Sequence, residues 1–435
     1  MALGGGTFTT QNKVLPGSYI NFVSVKSASS ALSDRGVATM SLELDWGVDK
    51  EVFAVSNEAF QKDSLKLFGY DYTHEKLKGL RDLFKNIKTL YAYRLNGGGI
   101  KASNAFATAK YSGTRGNSLK IVIKANVDTP SKYDVSTYLD TLKLDTQTVA
   151  QPSELVANDF VTFKSDSTLA VTAGTPLTAG TNGTVDGNAH KEYLSKIESF
   201  TFNAMGVVAT DATVKGLYEN FCKRLRDDLG VKFQAILYNK ASDHEGVINV
   251  KNKVTDTVAN EASLVYWVTG AIAGCEVNKS VSNRIYDGEF AINTDYSQAQ
   301  LEDAIQKGEF VLHRVNSEIR VLEDINSLVS VTEEKKEVFK DNQTIRVVDQ
   351  IANDIAVLFA TKYLGKIPND ADGRISLWAD IVKHHQQLED MRAIENFDEK
   401  EIVISEGDHK KSIVIKDAIS VIGTMSKLYM TVSVA

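Results

Sequence analysis

The sequence lacks several features that would place it in a common functional class. Its net charge is −7, its acidic and basic residues are well mixed and no basic run exceeds two residues, so a nucleic-acid-binding protein is not indicated. No stretch reaches the roughly 18 apolar residues that a membrane helix needs. The most apolar segment, ASLVYWVTGAIAGCEV, predicts a buried helix instead. We therefore expect neither nucleic acid nor membrane as a direct partner.

Cysteine is also scarce, and its positions carry no motif. The only two cysteines, Cys222 and Cys275, do not form a CxxC spacing. The beginning, MALGGGTFTT, lacks the basic and apolar regions of a signal peptide. Both observations lead us to expect synthesis in a reducing cytoplasm.

Motifs that would support catalysis or bind a cofactor are missing as well. None of the seven histidines has a partner at metal-ligand spacing. His384 and His385 are adjacent, so on a helix they point about 100° apart, and we predict a solvated helix face. The glycine clusters 4–6 and 97–99 lack the flanking residues of a phosphate-binding loop and predict hinges or linkers. We expect no enzyme activity, no metal and no cofactor.

The middle of the sequence twice places a helix before a strand. Helical spacing of apolar residues in HEKLKGLRDLFKNIKTL precedes the strand TLYAYRL, and similar spacing from Val214 to Leu225 precedes VKFQAILYN. These two units predict one α/β domain, formed by residues 21–97 and 188–334.

The segment between them has a different pattern. Residues 98–187 show almost no helical periodicity, and in NSLKIVIKANV every second residue from Leu119 to Val127 is apolar. Further short strands and glycine turns follow. We predict an all-β insertion domain, either a small sandwich or a barrel.

Residues 335–426 predict a third domain, of α+β type. Two amphipathic helices, one of them over 375–392, precede a β-hairpin with strands at 401–405 and 411–416 and a glycine turn between them. An extended arm over residues 1–20 precedes these domains, and we do not expect it to fold by itself. The predicted fold class is therefore α/β (α+β) and multidomain.

The chain ends in an unexpected way, with GTMSKLYMTVSVA. From Leu428 on, apolar residues alternate to Val434, which predicts a β-strand over 427–435. Chain ends are usually polar and frayed. The strand has two possible partners. It could turn back onto its own hairpin, which has two open edges, or it could be donated to a neighbouring copy.

Several phrases resemble contractile phage tail sheath proteins. The phrases are AKYSGTRGNSLKIVIKANV and TAGTNGTV at the ends of the insertion, VTGAIAGCEVNKSVSNRIYDG, FKDNQTIRVVDQIANDI and YLGKIPNDADGR. They cover nearly the whole chain in the family's order and are most similar to sheaths of phages, defective prophages and R-type bacteriocins of Gram-positive hosts. One departure is Ala179, which stands where the family has the first glycine of a Gly-Gly-Thr phrase.

The resemblance implies a mechanical function. Hexameric rings would stack into a helical sheath around an inner tube, and a baseplate signal would start a contraction that drives the tube through the target envelope. The implied partners are further copies of the chain, the tube protein, and the baseplate and tail terminator proteins. The implied location is a phage tail or tail-like particle, assembled in the host cytoplasm. A non-contractile shell or polymer protein is the alternative.

The resemblance also implies which residues join the subunits, with the C-terminal domain completed by strands of neighbouring copies. The residues of the donated strand are Leu428, Tyr429, Met430, Val432 and Val434. Those of the receiving hairpin are Ile402, Val403, Ile404, Ile413, Val414 and Ile415. Those of the tube-facing surface are Lys383, Glu389, Asp390 and Arg392.

Overall fold

The structure, a computed structural model, describes residues 32–434. The predicted N-terminal arm, 1–20, lies outside them, as does Ala435. The described residues group into two compact units. The larger consists of 33–353, 388–397 and 419–434, and the smaller of Leu32, 354–387 and 398–418. No helix among residues 32–434 combines the length and the apolar character that crossing a bilayer requires.

Strands and helices alternate along most of the described chain. The strands are β1 (Val37–Leu42), β2 (Val52–Ser56), β3 (Thr89–Arg94), β4 (Ala107–Ala109), β5 (Leu119–Ala125), β6 (Tyr133–Leu139), β7 (Leu142–Val149), β8 (Val161–Phe163), β9 (Thr172–Pro176), β10 (Ala204–Gly206), β11 (Gln234–Tyr238), β12 (Val247–Val250), β13 (Glu309–Phe310), β14 (Leu312–Val315), β15 (Glu318–Val321), β16 (Ile394–Glu395), β17 (Val403–Glu406), β18 (Ile413–Lys416) and β19 (Ser420–Val421). The helices are α1 (Asn57–Phe68), α2 (Lys78–Phe84), α3 (Gly187–Ile197), α4 (Ala212–Lys223), α5 (Leu264–Gly274), α6 (Gln298–Gln306), α7 (Asn342–Leu358) and α8 (Ala371–Asp390).

A seven-stranded sheet in the order β13-β12-β11-β10-β1-β3-β2 forms the centre of the larger unit. All neighbouring strands are parallel except β2 and β3. Residues of α2 and α5 form the apolar cluster on one face, with Met40 of β1. Residues of α3 and α4 form the cluster on the other face, with Tyr93 of β3. Both faces are therefore covered, and the sequence ASLVYWVTGAIAGCEV contains the predicted buried helix, α5.

The insertion is a β-sandwich-like body with its own core. Its sheets are β7-β6-β5-β9 and β4-β8. The alternation in β5 is confirmed for Leu119, Ile121 and Ile123, which are fully buried. It is wrong for Ala125, the exposed last residue of the strand, and for Val127, which is 91% exposed, because the strand ends at Ala125 and the chain turns.

Two residues from outside the insertion tie it to the central sheet. Trp46 belongs to the apolar core of the insertion and stacks on Phe160, with ring centroids 6.0 Å apart. Arg94, at the end of β3, is fully buried and donates to the Ser112 carbonyl (2.8 Å) and to Asp49 (3.0 Å). Its guanidinium also donates to Asn182 Oδ1 at 3.2 Å, so one side chain holds the chain where it enters and where it leaves the insertion.

The predicted helices and hairpin of the C-terminal part are confirmed, with small shifts. Helix α7 continues as a π-helical turn over Phe359–Tyr363 and stops before Gly365, whose φ is +70°. Helix α8 ends at Asp390, short of the predicted 392. Strands β17 and β18 pair antiparallel, with Ile404 opposite Ile415.

The prediction of a solvated face at His384 and His385 is wrong. The two side chains are 1% and 0% exposed. His384 Nε2 lies 3.0 Å from Asp354 and His385 Nε2 lies 2.9 Å from Asp417. Each imidazole is buried because it has a carboxylate for a hydrogen-bond partner, about 30 residues away in sequence, where no local pattern would reveal it.

Candidate assembly site

The terminal segment is open to solvent in the single chain. Residues 422–434 form no strand, and the apolar side chains from Leu428 to Val434 are 68–92% exposed. The donated-strand residues predicted from the sequence, all within this exposed segment, are Leu428, Tyr429, Met430, Val432 and Val434. Of the two partners considered from the sequence, the chain's own hairpin is not used in this structure: β17 and β18 form a sheet of two strands.

The terminal segment begins at a fixed point in the larger unit. Gln343 is 1% exposed; its Nε2 donates to the Ile422 carbonyl (2.8 Å) and its Oε1 accepts from the Thr424 N–H (3.1 Å). The short pair β16–β19 fixes the chain just before, where Ile394 lies opposite Val421. Ten extended residues beyond Thr424 would reach about 33 Å. Sequence analysis missed Gln343, because a glutamine in an amphipathic helix does not indicate which backbone groups it binds.

The predicted receiving hairpin has two different faces. Ile404, Ile413 and Ile415 lie on one face and are half-buried. Val403 and Val414 lie on the other and are 52% and 46% exposed. Ile402 precedes the first strand and is buried. Within residues 32–434 no third strand pairs with β17 or β18, so both outer edges keep their backbone donors and acceptors available.

An apolar cavity of about 100 Å³ adjoins this hairpin within the smaller unit. Phe359, Leu364 and Leu377 line it together with Ile413 of the hairpin. Asn369 Nδ2 donates to the Ser412 carbonyl at 3.0 Å and so fixes the start of β18 beside the cavity. The hairpin thus has an apolar space next to its half-buried face.

The charged residues predicted to face a tube do not form one uniform surface. Lys383 lies in the smaller unit, and the other three lie in the larger. Asp390 and Arg392 are exposed. Glu389 is half-buried, and its Oε1 accepts from the Phe397 N–H at 3.1 Å, so this carboxylate also holds the turn after α8. Tube attachment by these residues remains a prediction.

Three side chains of the larger unit come close enough to suggest a metal site. The ligand atoms of Asp227, His244 and Glu245 lie within 4.8 Å of one another. However, His244 Nδ1 accepts from the Gly246 N–H at 3.0 Å, so the ring carries its proton on Nε2, the atom that faces Asp227 at 3.1 Å. Glu245 is also paired with Lys335 at 2.8 Å. This geometry suits a buried hydrogen-bonded charge network better than a metal centre.

Four family models match consecutive parts of the chain. They are the tail sheath protein Gp18 domain III N-terminal region (35–95), the phage tail sheath protein beta-sandwich domain (96–182), the phage tail sheath protein central domain (183–327) and the phage tail sheath C-terminal domain (334–435).

Individual relatives agree with these models. The phage-like element PBSX protein XkdK of Bacillus subtilis is 32% identical over 99% of this chain and 100% of its own length. The solved sheath tail protein of Desulfitobacterium hafniense is 37% identical, with a TM-score of 0.82 over 95% of this chain and 99% of that one. The helical sheath of the anti-feeding prophage in its contracted state is 12% identical, with a TM-score of 0.55 over 97% of this chain and 99% of that one, which shows a shared fold. The resemblance and the predicted fold class are confirmed: the chain belongs to the phage tail sheath protein family and is a structural subunit of the sheath of a phage tail or tail-like particle.

Proposed function

We propose that the chain polymerises as hexameric rings stacked into a helical sheath around an inner tube, and that the sheath contracts to drive the tube through a target envelope. Each copy donates its terminal segment, 427–435, to the hairpin of a neighbour and so completes a small sheet there. Baseplate and tail terminator proteins close the two ends of the sheath. The proposed domains are those predicted from the sequence, with the arm 1–20 as a second connection between copies.

The exposed terminal segment is the observation that supports this proposal most directly. Its side chains alternate like those of a buried strand, and yet Leu428 is 86% and Val434 is 92% exposed. The two-stranded hairpin offers open edges, and main-chain pairing at an open edge is a general way of joining chains. Because donor and acceptor occur once in every copy, the contact is head-to-tail and propagates through the assembly.

Truncation after Ser426 tests strand donation. We expect the truncated protein to remain a folded monomer, because residues 427–434 make no strand pairing within the described chain. Circular dichroism should be unchanged, and electron microscopy should show no sheaths. As a matched control, Leu428→Thr and Val432→Thr keep a strand-forming sequence and should reduce assembly less than the truncation. Sheaths of normal appearance from the truncated protein would contradict strand donation.

Contraction is tested on the assembled particle. The fold shared with a contracted helical sheath supports contraction, which requires domains that move as bodies about continuous linkers. Negative-stain images before and after mild urea or acid should show long cylinders becoming shorter and wider. Cylinders that dissociate without changing width would favour a non-contractile polymer.

The tube contact is tested at Asp390. Asp390 is exposed and makes no ion pair with any residue of 32–434, so Asp390→Lys should leave folding intact. Since exposed charge pairs each contribute only about 0.2–1 kcal/mol, we expect a moderate loss of co-sedimentation with purified tube at low salt. The difference from wild type should shrink as the salt concentration rises, because salt screens exposed charges. Glu389→Lys is a poorer test, because it also removes the hydrogen bond to Phe397. Unchanged binding of the Asp390 variant across a salt series would rule this residue out.

A further inference from the structure

The apolar cavity beside the β17–β18 hairpin is partly open in the single chain. Its volume of about 100 Å³ is several times the roughly 10–15 Å³ that one water needs. Most of its lining is aliphatic or aromatic, and two of the lining residues, Leu364 and Ile367, are 62% and 40% exposed. Removing apolar surface of this kind from water is favourable, so the cavity suits an apolar occupant.

Two polar residues of the lining bond to each other and to the hairpin. Asn369 Nδ2 donates to the Ser412 carbonyl at 3.0 Å, and its Oδ1 accepts from Arg374 at 3.1 Å. Arg374 is also paired with Glu406 of β17 at 3.2 Å. These two side chains hold the hairpin beside the cavity and do not require a polar ligand.

The cavity borders only one of the two strands of the hairpin. Ile413 of β18 belongs to its lining, and no residue of β17 does. The Gly407 N–H donates to the Ser412 carbonyl at 2.9 Å, and backbone groups in an antiparallel pair point alternately towards the partner strand and away from it. The backbone groups of Ile413 and Ile415 therefore face the outer edge of β18, where an added strand would bond to them.

A strand added at this edge would place alternate side chains next to the cavity. Residues opposite each other on neighbouring strands share a face, so some of its side chains would lie beside Ile413 and Ile415. A strand added to the other edge would be separated from the cavity by β17. The edge of β18 is thus the one at which an incoming strand gains apolar contacts as well as hydrogen bonds.

The terminal segment of the chain has the matching pattern. Its apolar residues on one face are Leu428, Met430, Val432 and Val434, and all are exposed in the single chain. Met430, near the middle of the four, is 75% exposed, and its unbranched side chain adapts to irregular spaces. Residues 1–20, the other candidate, have no comparable alternating run and contain Pro16.

We propose that the terminal segment of a second copy pairs with the outer edge of β18 and inserts Met430 into the cavity. This inference rests on the proposed function and deepens it, because strand donation by itself leaves open which edge of the hairpin is used and which side chain is buried there.

Disulfide trapping between two different full-length variants tests the proposal. Each variant has one added cysteine, and the native Cys222 and Cys275 are buried and therefore react slowly. Circular dichroism would first establish that each variant is folded. Leu364→Cys and Met430→Cys, mixed before assembly and oxidised mildly, should form a disulfide-linked dimer, because a disulfide requires Cα atoms within about 7 Å of each other.

Two further pairs of variants are matched controls. Tyr429 adjoins Met430 and lies on the opposite face of the segment, while Ile375, at 63%, is as exposed as Leu364 and lies outside the lining. Leu364→Cys with Tyr429→Cys, and Ile375→Cys with Met430→Cys, should therefore give much less dimer.

The assembly of serine variants measures the same contact without a cross-link. Met430→Ser should raise the protein concentration needed for sheath formation about tenfold, because a buried apolar side chain is lost. Tyr429→Ser should raise it about threefold or less, since the opposite face does not enter the cavity. Equal effects of the two variants would overturn the insertion of Met430.

The remaining outcomes separate this inference from strand donation itself. Trapping of Leu364→Cys by Leu15→Cys in place of Met430→Cys would assign the cavity to the arm and overturn the proposal. If truncation after Ser426 abolishes sheaths while Leu364→Cys does not react with Met430→Cys, the segment is donated to another site and only this inference fails. Normal sheaths from the truncated chain would overturn both.

Discussion

The insertion and the C-terminal hairpin differ in how many of their strands are paired on both sides. In the insertion, β5 lies between β6 and β9, and the apolar residues Ile121 and Ile123 are fully buried. In the C-terminal region, β17 and β18 have no further strand within residues 32–434, and Val403 remains 52% exposed. A two-stranded sheet is marginal by itself. The insertion thus has central strands, β5 and β6, paired on both sides within the described chain, whereas each strand of the hairpin is paired there on one side only.

The same alternation of side chains therefore has two different outcomes. Along β5 it places apolar groups in a core that the chain itself provides. Along residues 428–434 it leaves Tyr429 90% exposed, because no described strand pairs with the segment. Under the proposed strand donation, the second pattern becomes buried when a neighbouring copy pairs with it.

The largest expected effect concerns the junction of the insertion. Arg94→Ala should lower the free energy of unfolding by about 3–5 kcal/mol, because the buried Asp49–Arg94 pair and the bonds to Ser112 and Asn182 are lost together. Urea denaturation would measure it. Arg224→Ala, which removes an exposed ion pair with Glu198, should cost at most about 1 kcal/mol. Equal effects of the two variants would show that the insertion does not depend on Arg94.

The second prediction compares matched apolar truncations in the two β regions. Ile121→Ala in the insertion should destabilise the monomer by about 2–5 kcal/mol, because it leaves a cavity in a closed core. Val414→Ala in the hairpin should change monomer stability by less than about 0.5 kcal/mol, since this side chain is 46% exposed, and should act on assembly instead. Thermal unfolding and sheath yield would separate them. A strongly destabilised Val414→Ala monomer would mean that the hairpin is already complete.

A third prediction concerns the dependence of protein stability on pH through Asp82, a buried residue of α2. Burial raises the pKa of Asp82 to about 6 from 3.8, although both carboxylate oxygens accept from the Glu289 N–H. The folded state thus binds this proton more tightly than the unfolded state. The resulting stability is fully present below pH 3.8 and is lost as the pH rises through about 6.

Asp82→Asn should remove that loss, which amounts to at most about 3 kcal/mol between pH 4 and pH 7. The quantity to compare is the difference in unfolding free energy between wild type and variant at each pH, since other groups cancel. Asp34→Asn, at a carboxyl that is almost fully exposed, is the control. A constant difference across this range would contradict the assignment.

The smallest expected effect concerns Ala179, at the end of the insertion. Its φ is +63°, in the left-handed region that an alanine adopts at a cost. Ala179→Gly should therefore stabilise the protein by up to about 1 kcal/mol, less the extra freedom that glycine gives the unfolded chain. Chemical denaturation of the two proteins would measure the difference.

The control for this substitution is Ala173→Gly in β9 of the same insertion. Ala173 is exposed and lies in a strand, where its backbone is not in the left-handed region. Glycine there only adds freedom to the unfolded chain, so the control should be slightly destabilising. If Ala179→Gly destabilises the protein, the methyl group of Ala179 contributes more to stability than its left-handed backbone conformation costs.

Sequence reasoning predicted what depends on local periodicity. The alternation from Leu119 to Ile123 and the apolar run of α5 were confirmed because both lie wholly inside one element. The predicted burial of Val127 was wrong because alternation alone does not mark the end of a strand. The hairpin was found because its glycine turn and flanking strands are adjacent in sequence.

What depends on distant partners was not predicted. The burial of His384 and His385 requires Asp354 and Asp417, far along the chain. Arg94 has the appearance of an ordinary strand residue until its partners from the insertion are known. Gln343, which anchors the terminal segment, was not predicted for the same reason. Its hydrogen bonds join residues about 80 positions apart.

The central claim, that the terminal strand of one copy completes the hairpin of another, can be tested with two defective variants. The chain truncated after Ser426 keeps the hairpin and has no strand to donate. Ile415→Pro keeps the strand and should lose the hairpin, because proline removes a backbone donor from β18. Circular dichroism would first establish that each variant is folded.

Light scattering after gel filtration is then the decisive measurement. Our account predicts that each variant alone is a monomer of roughly the chain's 47.7 kDa, and that an equimolar mixture forms a complex of twice that mass, because one donor strand and one acceptor hairpin remain. A mixture that gains no mass over the separate variants would contradict strand donation between copies.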